Sequence, residues 1–305
     1  MADDTATTSV SRQEMRAFSV RTNSQALIRL GFLIVVIGLT SGAIHATTET
    51  YLFVPAMFLH GVVLAHLFSL QHECEHHTAF RSRWICGTLS WVCGFFIMVA
   101  PRYFHHEHNA HHRYTNLPGQ DPELIDLPKS FGAYVIYISS IRYWYGLAVS
   151  LLRNAFGRFT ETEKSFIPAG ERRLVSLEAC AFIAGYGAVA AGSVAAGSDA
   201  ALWYWVVPLL LGQPVMRAIR MTEHVGRPQI RDRGKNTRST LVSAPMRFLC
   251  WNMNFHAEHH FAPAVPFHAL PALHERLKGS LFVEHDGYIG AHRDIVRMIA
   301  ARTAQ

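Results

Sequence analysis

Three histidine clusters constrain the fold of this chain more than any other feature, because a shared centre would need all of them on one side of whatever the chain spans. They read His72-Glu-Cys-Glu-His76-His77, His108-Asn-Ala-His111-His112 and His256-Ala-Glu-His259-His260, with an isolated Glu223-His224 between the last two. Each cluster places imidazoles at i and i+4, or at i, i+3 and i+4. Those offsets put side chains on one helix face, a turn apart. A single cluster could serve one zinc ion; three carry more imidazole than a mononuclear site uses. The expectation is a catalyst with more than one metal.

The rest of the chain is built for a membrane. Half of the 305 residues are hydrophobic and only 16% are charged, against about 25% in ordinary soluble domains. The net charge of +6 comes from scattered basic residues without interleaved aromatics, so no nucleic-acid partner is expected. Cys74, Cys86, Cys93, Cys180 and Cys250 are odd in number and form no C-x-x-C pair; they read as reduced packing residues. A polar tail, residues 1–25, precedes the first apolar run and is too long for a secretory leader. Residues 26–305 are expected to form one domain.

Four stretches are apolar enough to span: 27–47, 51–70, 177–198 and 200–217. The turns within each pair, Thr47-Thr-Glu-Thr50 and Gly197-Ser-Asp-Ala200, lack Lys and Arg, whereas Arg12, Arg16 and Arg21 precede the first span. By the positive-inside rule, two hairpins turn on the outer face, and both termini and all histidine boxes lie in the cytosol. Residues 84–100 are apolar too, but a crossing there would put the first two clusters on opposite sides. They are expected to be re-entrant or interfacial. Residues 131–152, interrupted by Arg142, are expected to form one amphipathic surface helix. From Arg217 onward the polar, Pro-containing chain is expected to cap the hairpins. The predicted fold is thus an all-α membrane protein, with two transmembrane hairpins, interfacial helices and a cytosolic helical cap holding the metals.

His72-Glu-x-x-His76 alone spells a zinc-protease motif with Glu73 as base, and an intramembrane metalloprotease is the alternative from another class. It would leave the other two clusters idle. With two metals, His72, His76, His108, His111, His112, His224, His256, His259 and His260 give nine nitrogens, enough for two metals of five or six ligands. His77 lies about 140° around the helix from His72 and is placed behind the ligands. His105 and His106 are reserves. Glu73, Glu75, Glu107, Glu223, Glu258, Asn116, Asp121 and Asn252 are candidates to orient imidazoles from behind. His45, His60 and His66 read as packing residues within spans, and His268, His274, His285 and His292 as surface residues. The tryptophans suit interfacial belts.

In combination, His-x-x-x-His and two His-x-x-His-His boxes resemble those of the integral-membrane fatty-acid desaturase and hydroxylase superfamily. So do the flanks Arg113-Tyr-Thr-Asn116, Asp121-Pro122, Asn252-Met-Asn-Phe255 and Pro263-Ala-Val-Pro266, with Thr222-Glu-His224 ahead of box three. The resemblance covers about residues 50–275. It implies two iron ions (Fe2+) that use O2 as co-substrate to remove hydrogen from an unactivated C–H bond of a fatty-acyl or acyl-lipid substrate drawn from the bilayer. A hydroxylase or ketolase of an alkane, acyl chain or carotenoid, or a desaturase of a small non-lipid metabolite, is the alternative within the superfamily. The chain has no His-Pro-Gly-Gly cytochrome b5 motif and no iron–sulfur cysteine set. An external donor of ferredoxin or cytochrome b5 type, with its reductase, is therefore expected.

Overall fold

A computed structural model describes residues 10–303; residues 1–9 of the expected polar tail lie outside the described residues. The chain is helical almost throughout, and the strands Ser239–Thr240 and Val283–Glu284 pair in parallel as the one small sheet among the described residues. In order, α1 is Arg12–Phe18, α2 Ser24–Ala46, α3 Phe53–Ala65, α4 Leu67–Glu75, α5 Arg83–Ile97, α6 Pro101–Tyr114, α7 Phe131–Ile138 and α8 Ile141–Ala155. There follow α9 Glu161–Phe166, α10 Arg172–Ala196, a π-helical turn Leu202–Val206, α11 Val207–His224, α12 Ala244–Leu249, α13 His256–Phe261, α14 Leu270–Leu277 and α15 Gly287–Thr303.

Three helical runs are long and apolar enough to cross a membrane: Ser24–Ala46, Phe53–Glu75 and Arg172–Ala196, or up to five if two bent pairs each count as one. Their outer surfaces have the composition a bilayer requires. Ile28, Phe32, Val35 and Leu39 on α2 are each more than half exposed, an apolar stripe that water-soluble monomers rarely present. The expected span 51–70 reaches five residues further, because α4 continues α3 across a break at His66, and this carries His72 inward. The expected fourth span, 200–217, begins as the π-helical turn and continues as α11 to His224. Arg217 to His224 therefore belong to this helix, not to the cap. The two members of the expected second hairpin find different partners: α10 packs mainly on α8, and α11 on α3.

The α3–α11 contact is a backbone contact. A Cβ on Gly61 would lie 1.7 Å from the Pro208 carbonyl oxygen, and one on Gly212 would lie 2.0 Å from Gly61 C. Only glycine lets the two helices approach so closely. A second close approach turns the chain at 97–101. Gly94 has no room for a side chain against the Val99 carbonyl, Met98 takes a left-handed conformation at φ 63°, and Pro101 opens α6. The Gln71 side-chain amide donates to the Val99 carbonyl at 2.7 Å, pinning the bend to α4. The helices on either side meet at 98°, so α5 does not run on past the bend and α6 returns beside α4. Residues 131–152 depart from the single helix expected: Ser140, at φ 66°, breaks them into α7 and α8 with a 55° bend.

His60 and His66 are buried packing residues, as read from sequence. His60 bonds Thr40 and the Tyr204 carbonyl, and His66 the Val62 carbonyl. The five cysteines are free, four of them buried.

Candidate metal centre

Box one ends α4, box two lies in the C-terminal half of α6, His224 ends α11 and box three forms most of α13. These elements bring the nine histidines into two adjacent groups. His72, His76, His108, His112 and His259 form the first; His111, His224, His256 and His260 form the second. Within each group, one nitrogen from every ring lies within 4.8 Å of all the others. The helical offsets sort them. Each i, i+4 pair (72/76, 108/112 and 256/260) stays within one group, while the i+3 member, His111 or His259, crosses to the other. A face expected to serve one metal is thus shared by two.

Nε2 atoms face each other at 3.0 Å in His108–His112, His112–His259, His224–His256 and His256–His260. Those of His72, His76 and His111 are buried without a hydrogen-bond partner. Buried lone pairs left unsatisfied are costly, and a cation among them removes that cost. Two nitrogens bound at right angles with bonds of about 2.1 Å stand about 3.0 Å apart, whereas a tetrahedral pair would be about 3.4 Å apart. The donor set and its spacing fit a metal with more than four ligands. Burial, reinforced by neighbouring imidazoles, holds His256, His259 and His260 well below the ordinary histidine range. They are neutral rings, the form that binds metal.

Behind the rings lies an uneven set of supports. His111 Nδ1 donates to both oxygens of Asp121, at 2.9 and 3.0 Å. Asn116, in left-handed conformation, donates its backbone N–H to the same carboxylate at 2.7 Å. His260 Nδ1 lies 3.1 Å from Thr115 Oγ1, and His224 Nδ1 3.4 Å from the Asn236 carbonyl. In the first group, His108 Nδ1 bonds Glu123 at 2.7 Å, and Arg220 bridges Glu123 to Glu223. Glu223 stands 3.7 Å from His256 Nε2.

The remaining candidates play other parts. Glu73 accepts from Thr78 Oγ1 and the Phe267 N–H, which ties box one to the chain after box three. Its other oxygen is buried without a hydrogen bond, 3.9 Å from His72 Nδ1. Glu258 accepts from Ser239 and from His274, and Asn252 donates to the Phe267 carbonyl. Glu107 is bonded by Tyr103. His77 (φ 54°) and His105, 3.2 Å from Glu75, lie outside both groups, as does His106, 3.9 Å from Glu171. His274 corrects the surface reading, being buried against Glu258 at 2.5 Å. Sequence reasoning missed Glu123, Arg220 and His274. Two signals were available: Glu123 is two residues past Asp121, and Arg220 is one turn before His224 on the same helix.

One small cavity lies within the centre and a larger one beside it. A cavity of about 20 Å3 lies between His72 and His256, walled by Phe68, Met216 and Arg220. The same three residues wall a larger cavity of about 510 Å3 that also touches Glu123 and Phe104.

A helical, membrane-type chain with an apolar exterior and a buried polyhistidine centre defines a class of membrane proteins whose histidines are grouped as metal ligands would be. Residues 49–291 match the sequence profile of the fatty acid desaturase family, and the chain belongs to that family. It is therefore an oxidoreductase of the fatty-acid desaturase type. It is similar to the sn-1 oleoyl-lipid 12-desaturase of Picosynechococcus sp., with 26% identity over 259 residues covering 77% of this chain and 72% of the relative.

Proposed function

We propose that the protein is a membrane-bound, O2-dependent di-iron desaturase that introduces a double bond into a fatty-acyl chain, an acyl lipid above all. The observation that carries this reading is the convergence of nine histidines, eight of them buried, into two adjacent groups, with a cavity of about 510 Å3 that shares Phe68, Met216 and Arg220 with the space between them. The lipid substrate is supported by the similarity to an oleoyl-lipid desaturase.

In this reading the nine histidines hold two iron ions, which supply the oxidant that cleavage of an aliphatic C–H bond requires and redox-inert zinc cannot. The protein's own part is orientation and exclusion. Asp121 and Glu123 take the Nδ1–H of His111 and His108, fixing the tautomer that turns each Nε2 lone pair inward. Arg220 balances the charge of Glu123 and Glu223. Phe68 and Met216 keep water from the narrow space between the groups.

The topology proposed with it has four spans in two hairpins, one domain over 26–305, and the boxes and both termini in the cytosol. An external ferredoxin or cytochrome b5 donor then reaches the centre from that side. Cysteines at Thr48, Arg81 and Gln120, in a cysteine-free background, test this. An impermeant reagent outside intact cells should label only Thr48→Cys; labelling of Gln120→Cys would overturn the sidedness.

The function itself is tested by expressing the chain in a host without polyunsaturated lipids. Oxygen-dependent new double bonds, and about two irons per purified chain, are expected. One zinc per chain and an unchanged lipid profile would refute the reading.

A further inference from the structure

The wall of the large cavity carries a cation without a counterion among the described residues. Arg217 stacks between Tyr137 and Tyr143, its guanidinium carbon 4.3 and 4.8 Å from the two ring centroids. It makes no hydrogen bond or ion pair among the described residues, and its Nε is buried with no partner. The Tyr137 hydroxyl is likewise buried and unpartnered. Both side chains line the cavity of about 510 Å3, with the exposed Arg142 on the same wall.

The acidic residues lining that cavity do not serve Arg217. Glu123 is held by His108 and Arg220, Glu107 by Tyr103, and Asp126 by Gln229. A buried donor left unmatched costs free energy that a ligand oxygen would recover. The two aromatic faces have also fixed the guanidinium plane in advance, so little rotamer freedom remains to be lost.

We propose that Arg217 and Tyr137 form a binding site for the oxygen-bearing end of the acyl substrate, its carboxylate or ester carbonyl. The site lies on the face of α11 that also carries Arg220 and His224, at i, i+3 and i+7. Arg217 is seven residues from His224, about 10 Å along the helix axis. A chain anchored there by its oxygen would run past Phe68 and Met216 toward the histidine groups. Its reacting carbons would then be counted from the polar end. For the identity of the substrate this rests on the desaturase reading, but the site itself stands on the cavity wall alone.

The test is binding by the purified protein in nanodiscs, using three radiolabelled probes that share one hydrocarbon chain. These are oleate, 1-oleoyl-lysophosphatidylcholine and 9-octadecene, the last without oxygen. Wild-type protein should hold the best oxygen-bearing probe about ten- to hundredfold more tightly than octadecene, the range for a charge-assisted hydrogen bond. Arg217→Ala should abolish that preference and leave octadecene binding and metal content unchanged. Arg217→Lys should keep part of it, and Tyr137→Phe should lose a few-fold. Preference for oleate would identify a free acid as the ligand, and preference for the lysolipid an ester. Equal binding of all three probes to wild type, or an unchanged preference in both Arg217→Ala and Tyr137→Phe, would overturn the proposal. Because no turnover is required, a protein that binds through Arg217 but makes no double bond when supplied with O2 and a reduced ferredoxin or cytochrome b5 donor would refute the desaturase reading and leave the site intact.

Discussion

The two histidine groups differ in size and in backing, and the two differences run in opposite directions. The first has five rings, but among the described residues only His108 has its outer nitrogen hydrogen-bonded, to Glu123. His72, His112 and His259 have a buried Nδ1 without a hydrogen bond, and Glu73 stands 3.9 Å from that of His72. The second has four rings, and three of them have an Nδ1 partner: Asp121, Thr115 or the Asn236 carbonyl. An outer partner is worth about 10–100-fold in metal affinity. Three partners against one outweigh a single extra ring, so the smaller group should be the tighter one. A polyhistidine site is graded by what stands behind its rings as much as by their number.

The largest effects should ignore this grading. His72→Ala or His111→Ala should each cut turnover by about 100-fold or more, with roughly half the metal retained because the other group persists. Near wild-type turnover and full metal in both variants would remove the basis of the comparison.

Gly212→Val should cost about 3 kcal/mol or more through overpacking, lowering the thermal midpoint. It pushes α11, which carries His224, away from α3, which continues into the helix carrying His72. Both groups should lose metal together, and selective loss from one would contradict the shared scaffold.

Asp121→Ala and Glu123→Ala sharpen the comparison directly. The first should weaken the second group's metal by about 10–100-fold, and the second the first group's by a similar factor. In wild-type protein, chelator challenge should release metal in two steps, with the first group emptying before the second. Release in one step, or in the reverse order when each step is assigned with these variants, would break the ranking.

Thr115→Val should have the smallest effect, about three- to tenfold in metal retention by the second group, the size of one neutral hydrogen bond. No change would show that the 3.1 Å contact to His260 does not orient the ring.

Much of this centre was legible in the sequence, because helical offsets are local. His72 and His76, or His108 and His112, share a face whatever the remainder of the chain does. The division of one face between two groups was not legible, since it depends on which rings from other helices arrive opposite. Arg220 and Glu123 are 97 residues apart and carry no spacing signal for their pairing, and His274 meets Glu258 only after the chain turns back at 261–270. The apolar runs were readable, but their ends were not. Composition marks where a helix becomes polar, as at Arg217, whereas the helix itself stops at His224, where backbone bonding ends. The break at Ser140 was hidden because serine gives no warning of a left-handed conformation.

The placement of box three has a consequence for how the protein is made. Both groups are completed by α13, through His259 in one and His256 and His260 in the other, while boxes one and two lie more than 140 residues earlier. During synthesis the early helices enter the bilayer with their imidazoles incompletely surrounded. Neither pocket reaches its full set of nitrogens until the ribosome has passed residue 260. On the proposed di-iron reading, full metal capture would follow the synthesis of α13, and until then the cell would have to keep a half-built cluster of histidines from taking whichever ion is nearest.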